Sequence, residues 1–361
     1  MRTIRERFNA VMRWQKVKQV PNMDFGYWSE TIDVWHKQGL PENINTGADI
    51  ERFLGLEGVE SLPWTPTING LYPPFEHKII EDKGETQIIQ DRNRNICEVS
   101  KKNSSIPKYI KYGIETRDDW EIFKNEHLDY KQPDRIGDVR KAADEARKAG
   151  LPIRFDAGSL YGWLRNWMGL ENISIAIMTD REWVEEMMEH LTQMTLYIIE
   201  EALSGVEVDS AWWWEDMCYN HGPLCSPEAF EELMVPRYKR ITDALKKHGV
   251  NVNILDCDGQ IYELVPGWIE GGINCMFPIE AAHTDPFVLR KKYGRKLLLF
   301  GGVNKVKIAQ GGKAIDNEME KLRPLVEDGG YIPCFDHRVP PDVSLDNYKY
   351  YLEKKSEILN L

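Results

Sequence analysis

The chain lacks any long apolar run: nothing in its 361 residues approaches the roughly 20 consecutive apolar positions that a membrane-spanning helix requires. Its opening, MRTIRERFNAVMRWQ, is basic but has no apolar stretch of secretory-signal length, so the expected location is the cytoplasm, with no membrane partner. Cysteine is sparse. The six cysteines, Cys97, Cys218, Cys225, Cys257, Cys275 and Cys334, show no paired spacing, which argues against a disulfide framework and leaves reduced thiols available as metal ligands. Cations are outnumbered, 46 Lys and Arg against 58 Asp and Glu, and a net charge of −12 argues against a nucleic-acid partner, because phosphate binding needs clustered positive charge. There is no Gly-x-Gly-x-x-Gly after a strand and no Walker-type Lys-Ser/Thr loop, so the usual reason to expect an open nucleotide-binding sheet is missing. With no internal repeat or low-complexity linker, and with 42% hydrophobic residues, the expectation is one domain over residues 1–361; a homodimer stays open.

What is present is a rhythm. From residue 150 onward, short apolar runs (152–156, 208–214, 252–256, 272–277, 296–300, 330–333) alternate with long amphipathic segments (180–203, 226–248, 260–270, 285–293, 312–327, 344–358). This is the pattern of parallel strands joined by crossover helices. An early strand near residues 20–24, with a helix at 29–38, brings the count close to eight units, so an α/β fold of the (β/α)8 barrel type is expected. Residues 76–101 break the rhythm and read as an antiparallel hairpin insertion.

The apolar runs end on residues unusual for a core: Asp156; Glu215 and Asp216; Asp256, Cys257 and Asp258; Glu280; and Cys334, Asp336 and His337. In a barrel these ends converge on one mouth. A single Asp after a strand is as readily a helix cap, but capping cannot explain both members of the pairs Glu215/Asp216 and Asp256/Asp258. Aromatic residues cluster nearby. Strand alternation sends Trp212 and Trp214 to one side of the sheet and Trp213 to the other, and with Tyr161, Trp163, Tyr27 and Trp28 they are candidates to line a pocket for a flat organic substrate.

The stretch WWEDMCYNHGPLCSPEAFEELMVPRYKRI resembles the signature of the uroporphyrinogen decarboxylase superfamily, in which an acidic strand end is followed by a long helix opening on Gly-Pro-x-x-Ser-Pro. LYGWLRNWMGLENISIAIMTDREWVEEM, GGYIPCFDHRVPPDVSLDNY and the opening ERFNAVMRWQKVKQVPNMDFGYW are similar to further parts of that family, so the likeness runs over nearly the whole chain. True decarboxylases carry an Arg-rich loop after the first strand to grip a polyanionic porphyrinogen, whereas this chain reads NMDFGYWSETIDVWHK there, with no Arg.

The resemblance therefore implies the methyltransferase branch, and specifically the component of O-demethylase systems that moves a methyl group from a methylated small molecule, such as an aryl methyl ether, to the cobalt of a corrinoid. The chain lacks the Asp-x-His-x-x-Gly corrinoid loop, so the corrinoid is expected on a separate partner protein. That branch holds zinc through a His-x-Cys-Gly strand end and a late Cys; here Asp256 and Asp258 stand in the first frame and Cys334 is the late Cys, with Cys257, Cys275 and Glu280 as further possible ligands. Asp156, Glu215, Asp216 and His337 are the candidate catalytic residues, with Glu215 or His337 as proton donor. The rival activity is decarboxylation of a smaller carboxylated substrate.

Overall fold

The computed structural model describes residues 2–101 and 107–360. Four strands, β1 (Lys78–Asp82), β2 (Thr86–Gln90), β3 (Ile96–Ser100) and β4 (Lys108–Lys111), form an antiparallel sheet in that order. The insertion is thus larger than the expected hairpin: the alternating pattern continues in β4, which pairs with β3 across a register shift at Ile96 and Cys97.

The parallel sheet begins with β5 (Arg154–Gly158) and β6 (Ser210–Trp214). A two-stranded ribbon, β7 (Cys218–Tyr219) with β8 (Gly222–Pro223), follows β6. Then come β9 (Asn253–Asp256), β10 (Cys275–Phe277), β11 (Leu298–Phe300) and β12 (Tyr331–Ile332). The order β12-β11-β10-β9-β6-β5 is entirely parallel. Helices Arg181–Ala202, Val235–Lys247, Val265–Glu270, Pro286–Tyr293 and Lys313–Asp328 lead into β6, β9, β10, β11 and β12 respectively. Covered in this way, the strands are nearly continuously apolar, as buried parallel strands are.

Two irregular segments continue the barrel wall beyond the edges of this sheet. Residues 62–67 lie against β5 through Thr65 N to Arg154 O (2.7 Å) and Arg154 N to Pro63 O (3.0 Å). Residues 20–28 lie against the segment after β12 through Val339 N to Gly26 O (2.8 Å), and Asn22 O also accepts from Glu57 N (2.8 Å). The early strand expected at 20–24 is therefore a stave without a regular ladder.

Local sequence signals account for most boundaries. Ser226 caps Pro227–Leu233 by accepting from Ala229 N, with Pro227 in the first turn, where its missing N–H costs nothing. The single helix expected over 226–248 is two, because Pro236 opens a second helix, Val235–Lys247. At the end of β5 a register shift between Asp156 and Gly158 bends the chain, and Gly158 takes φ +77°, where a Cβ would meet the Trp163 ring at 2.8 Å. No helix among the described residues is long and apolar enough to cross a membrane.

Candidate active site

A cavity of about 520 Å³ opens among the carboxyl ends of the strands. Its apolar walls are Phe25, Trp64, Trp212 and Phe277. Pleat alternation positions the tryptophans of β6: Trp212 turns inward, edge-on to Phe277 (5.2 Å) and Phe300 (6.0 Å), while Trp213 turns outward onto Tyr238 (5.4 Å). The polar lining is Glu60, Arg154, Asp156, Asp256 and Arg338. Arg338 and Glu60 form an ion pair at 2.9 Å.

Asp256 ends β9, with Trp214 and Phe277 as its partners on the flanking strands. Enclosure by protein, reinforced by the nearby charges of Asp258 and Asp216, pushes its carboxyl well above the usual range, so the protonated form is favoured. Asp216, at φ +40°, is pinned by Arg165 at 2.7 Å. Asp156 accepts from Gly158 N at 2.8 Å, yet burial still raises it to about 6. Both carboxyls touch the cavity, and neither has an ion-pair partner within 4 Å among the described residues.

A second polar group sits beside this cavity. Lys305 Nζ lies 2.9 Å from Glu280 and 3.7 Å from Asp336. Burial works against ionisation of both acids; Lys305 outweighs it at Glu280, which is lowered, but not at Asp336, which stands at about 6. His337 is stacked on Trp28 (5.5 Å) and lies 3.5 Å from Asp258. Burial opposes charge on that imidazole, but the Asp258 carboxylate prevails and raises its pKa.

The barrel, its acidic mouth and its chain order agree with the sequence comparison, in which the pattern of the family described as Uroporphyrinogen decarboxylase (URO-D) matches residues 97–357. The chain belongs to the uroporphyrinogen decarboxylase family. Among solved structures, this family member is similar to one described as a methyltransferase from Methanosarcina mazei, with TM-score 0.64 and 14% identity over 99% of each chain. A B12-independent methionine synthase from Shewanella sp. W3-18-1, in complex with selenomethionine, aligns with TM-score 0.48 and 11% identity over 94% of this chain and 97% of that one. The first shares the fold; the second is too distant to bear on it. No curated protein matches the sequence.

Of the residues singled out from sequence, the structure brings Asp156, Asp256, Trp212 and Trp214 to the cavity. Trp28, Asp258, Glu280 and His337 belong to the polar group beside it. Glu215, expected as a proton donor, is fully buried behind β6, accepting from Leu160 N (2.8 Å), Tyr161 N (2.8 Å), Gly162 N (3.1 Å), Ser159 Oγ (3.0 Å) and Tyr238 OH (2.8 Å). It anchors the start of helix Tyr161–Met168 instead of facing substrate. Tyr161 is buried, its hydroxyl directed to Leu224 O, and Tyr27 is a core residue bonded to the Tyr348 hydroxyl at 2.9 Å. Trp163 stacks on Trp167 in a side pocket of about 290 Å³ that Trp214 separates from the main cavity.

The zinc expectation does not fit these residues. Among the described residues no group of three His, Cys, Asp or Glu is placed to hold a metal ion. Cys334 is buried, donates to Phe335 O at 3.4 Å, and is driven toward the neutral thiol by burial and the charge of Asp24. Cys257 donates to Asp258 O and accepts from Met217 N in the core, and burial raises Cys275. Thiolate is the form zinc requires, and burial opposes it at all three positions.

Sequence reading missed Phe25, Glu60, Trp64, Arg154, Phe277 and Arg338. Arg154 carried a signal: an Arg inside the run PIRFDAG has no reason to occupy a strand covered on both faces unless the barrel interior uses its charge.

Asp156 also gives a stability prediction. Its folded pKa lies above the ordinary 3.8, so the native state binds the extra proton and stability falls as pH rises from about 4 to about 6. Asp156→Asn is therefore expected to stabilise the protein at neutral pH by on the order of 1–2 kcal/mol, allowing for its contact with the cavity. Urea unfolding at neutral and acidic pH measures this; equal stability of the two proteins at neutral pH contradicts it.

Proposed function

We propose that the chain is a methyltransferase that takes a methyl group from an aryl methyl ether and passes it to the cobalt of a corrinoid carried by a separate protein. The observation that carries this reading is the meeting, in one aromatic-walled cavity, of two enclosed carboxyls whose surroundings favour protonation, Asp156 and Asp256. A flat ring packs against Trp212 and Phe277. Phenolate leaves poorly unless its oxygen gains a proton as the C–O bond breaks, and a neutral carboxylic acid beside that oxygen supplies it.

We assign the proton to Asp256. Asp216 supports this role from a distance, since its charge, fixed by Arg165, opposes ionisation of Asp256. Asp156 is the second acid of the cavity, and Glu215 positions the helix that follows β5. The corrinoid is a substrate here, its reduced cobalt supplying the nucleophile from the partner protein. The description of the Methanosarcina mazei structure as a methyltransferase is consistent with this reaction class.

The test is the visible spectrum of a reduced corrinoid protein mixed with the enzyme and a panel of aryl methyl ethers. The expected outcome is donor-dependent methylation of the corrinoid, and no turnover of the ether by the enzyme alone. One observation favours a second reading: the cationic Arg154 in the same cavity suits a carboxylated substrate for decarboxylation. Release of carbon dioxide with no change in the corrinoid spectrum establishes that reading instead.

A further inference from the structure

Of the three buried arginines, Arg7 is paired with Glu57, while Arg135 and Arg154, the two most deeply enclosed, differ in their surroundings. Arg135 is satisfied by five carbonyl contacts, to Asp129, Ile68, Gly70, Tyr72 and His127. Arg154 is 3% exposed and makes one hydrogen bond, Nη2 to Leu62 O at 2.7 Å, although its guanidinium carries five N–H donors. Its Nε is buried without a partner. Among the described residues no carboxylate lies within ion-pair distance of it; Glu51 and Glu60 act on it only through longer-range attraction. Glu60 is engaged by Arg338, and Glu51 accepts from the N–H groups of Val59, Glu60 and Ser61.

The guanidinium is held in place by aromatic faces, with its central carbon 4.0 Å from the Trp64 ring centre and 5.1 Å from that of Trp212. It lines the same cavity as Asp156 and Asp256. Burial lowers its pKa to about 9, which still leaves it cationic at neutral pH. A buried cation with unused donors costs free energy unless something completes its shell, and the stacked rings have already removed the side-chain freedom that binding would otherwise have to remove.

We propose that Arg154, clamped between Trp64 and Trp212, binds a carboxylate carried by the substrate, so that the methyl donor is an aromatic ether bearing an acidic group. The ether portion of this statement rests on the methyltransferase reading; the anion site rests on the geometry of Arg154. A planar carboxylate matches the fork of a guanidinium, and hydrogen bonds to charged groups are about twice as strong as neutral ones. Of the neighbouring acids, Asp256 favours its neutral form and Glu60 is paired with Arg338, while Asp156, raised to about 6, is the one that can take up a proton as the anion arrives.

The experiment is calorimetric titration of the intact protein with para-methoxybenzoate and with para-methoxybenzamide, which has nearly the same shape and no charge. The acid is expected to bind about 10- to 100-fold more tightly than the amide. Arg154→Met is expected to erase that preference, and Trp64→Leu, a change at a partly exposed ring, to weaken it. Equal binding of the two probes by the unaltered protein overturns the site without recourse to any variant, as does a preference that survives Arg154→Met.

The two readings fail separately. Preference for the acid without methylation of the corrinoid keeps the anion site and removes the ether reading. Methyl transfer from both probes, bound with equal affinity, keeps the methyltransferase and removes the anion site.

Discussion

Replacing Asp256 by Asn is expected to slow methyl transfer to the corrinoid by about 100- to 10 000-fold, with little change in substrate affinity. Asn has nearly the shape of a protonated Asp, so the walls formed by Trp214 and Phe277 on the flanking strands stay in place. What the amide cannot do is release a proton to the ether oxygen as the C–O bond breaks. The native group is suited to that task because its enclosure and the charges of Asp258 and Asp216 favour the neutral acid. The same logic gives the pH dependence. The acid form is the active one, so the rate falls as pH rises through the raised pKa of Asp256, and loss of the Asp156 proton near 6 adds to the fall. Single-turnover kinetics across this range measure both effects. A drop of less than about tenfold in Asp256→Asn, or a rate that increases with pH, removes the acid assignment.

Glu215→Ala is expected to cost about 3–5 kcal/mol of stability. The carboxylate accepts from three consecutive backbone N–H groups, Leu160, Tyr161 and Gly162, and from the hydroxyls of Ser159 and Tyr238, all buried. Removing it takes away the acceptor for the N–H groups of Leu160, Tyr161 and Gly162 at the start of helix Tyr161–Met168. There is also no room for the helix to shift inward, because Gly162 already packs so closely that a Cβ there would meet Glu215 O at 2.7 Å. Urea unfolding reads the loss directly. Glu215→Gln, which keeps an acceptor oxygen, should lose less. Were Glu215 the proton donor, the Gln variant would instead fold as stably as the parent while losing turnover, and that pairing of results rules out the positioning role.

Much of the architecture was legible because it follows from local rules. Helix periodicity and capping at Ser226 and Ser344 act within a few residues, and the opposite facing of Trp212 and Trp213 follows from the pleat of a single strand. Parallel strands separated by helices bring the carboxyl ends of those strands together, so an acidic mouth could be expected from Asp156, Glu215, Asp256 and Glu280 before any coordinates. Small misreadings had equally local causes: Pro236 divided one expected helix, and a fourth strand enlarged the insertion.

The sequence by itself therefore determined the barrel, the end at which chemistry could occur, and the family. Only the tertiary structure decided which acidic residues face the cavity. Glu215 and Asp256 end neighbouring strands, yet one turns into a nest of N–H groups and the other into an aromatic chamber. The spacing of Asp256, Asp258 and Cys334 suggested a metal site, but spacing along a chain does not set the direction of side chains carried by separate strands, and among the described residues no donor cluster is assembled there. Arg154 makes the same point from the other side. Its role depends on Trp64 from a stave without regular strand structure and on Trp212 from β6, so no stretch of sequence read alone contains it. Periodicity is a short-range property of the backbone, whereas charge burial and cavity lining are set by groups that meet only when the ring of strands closes.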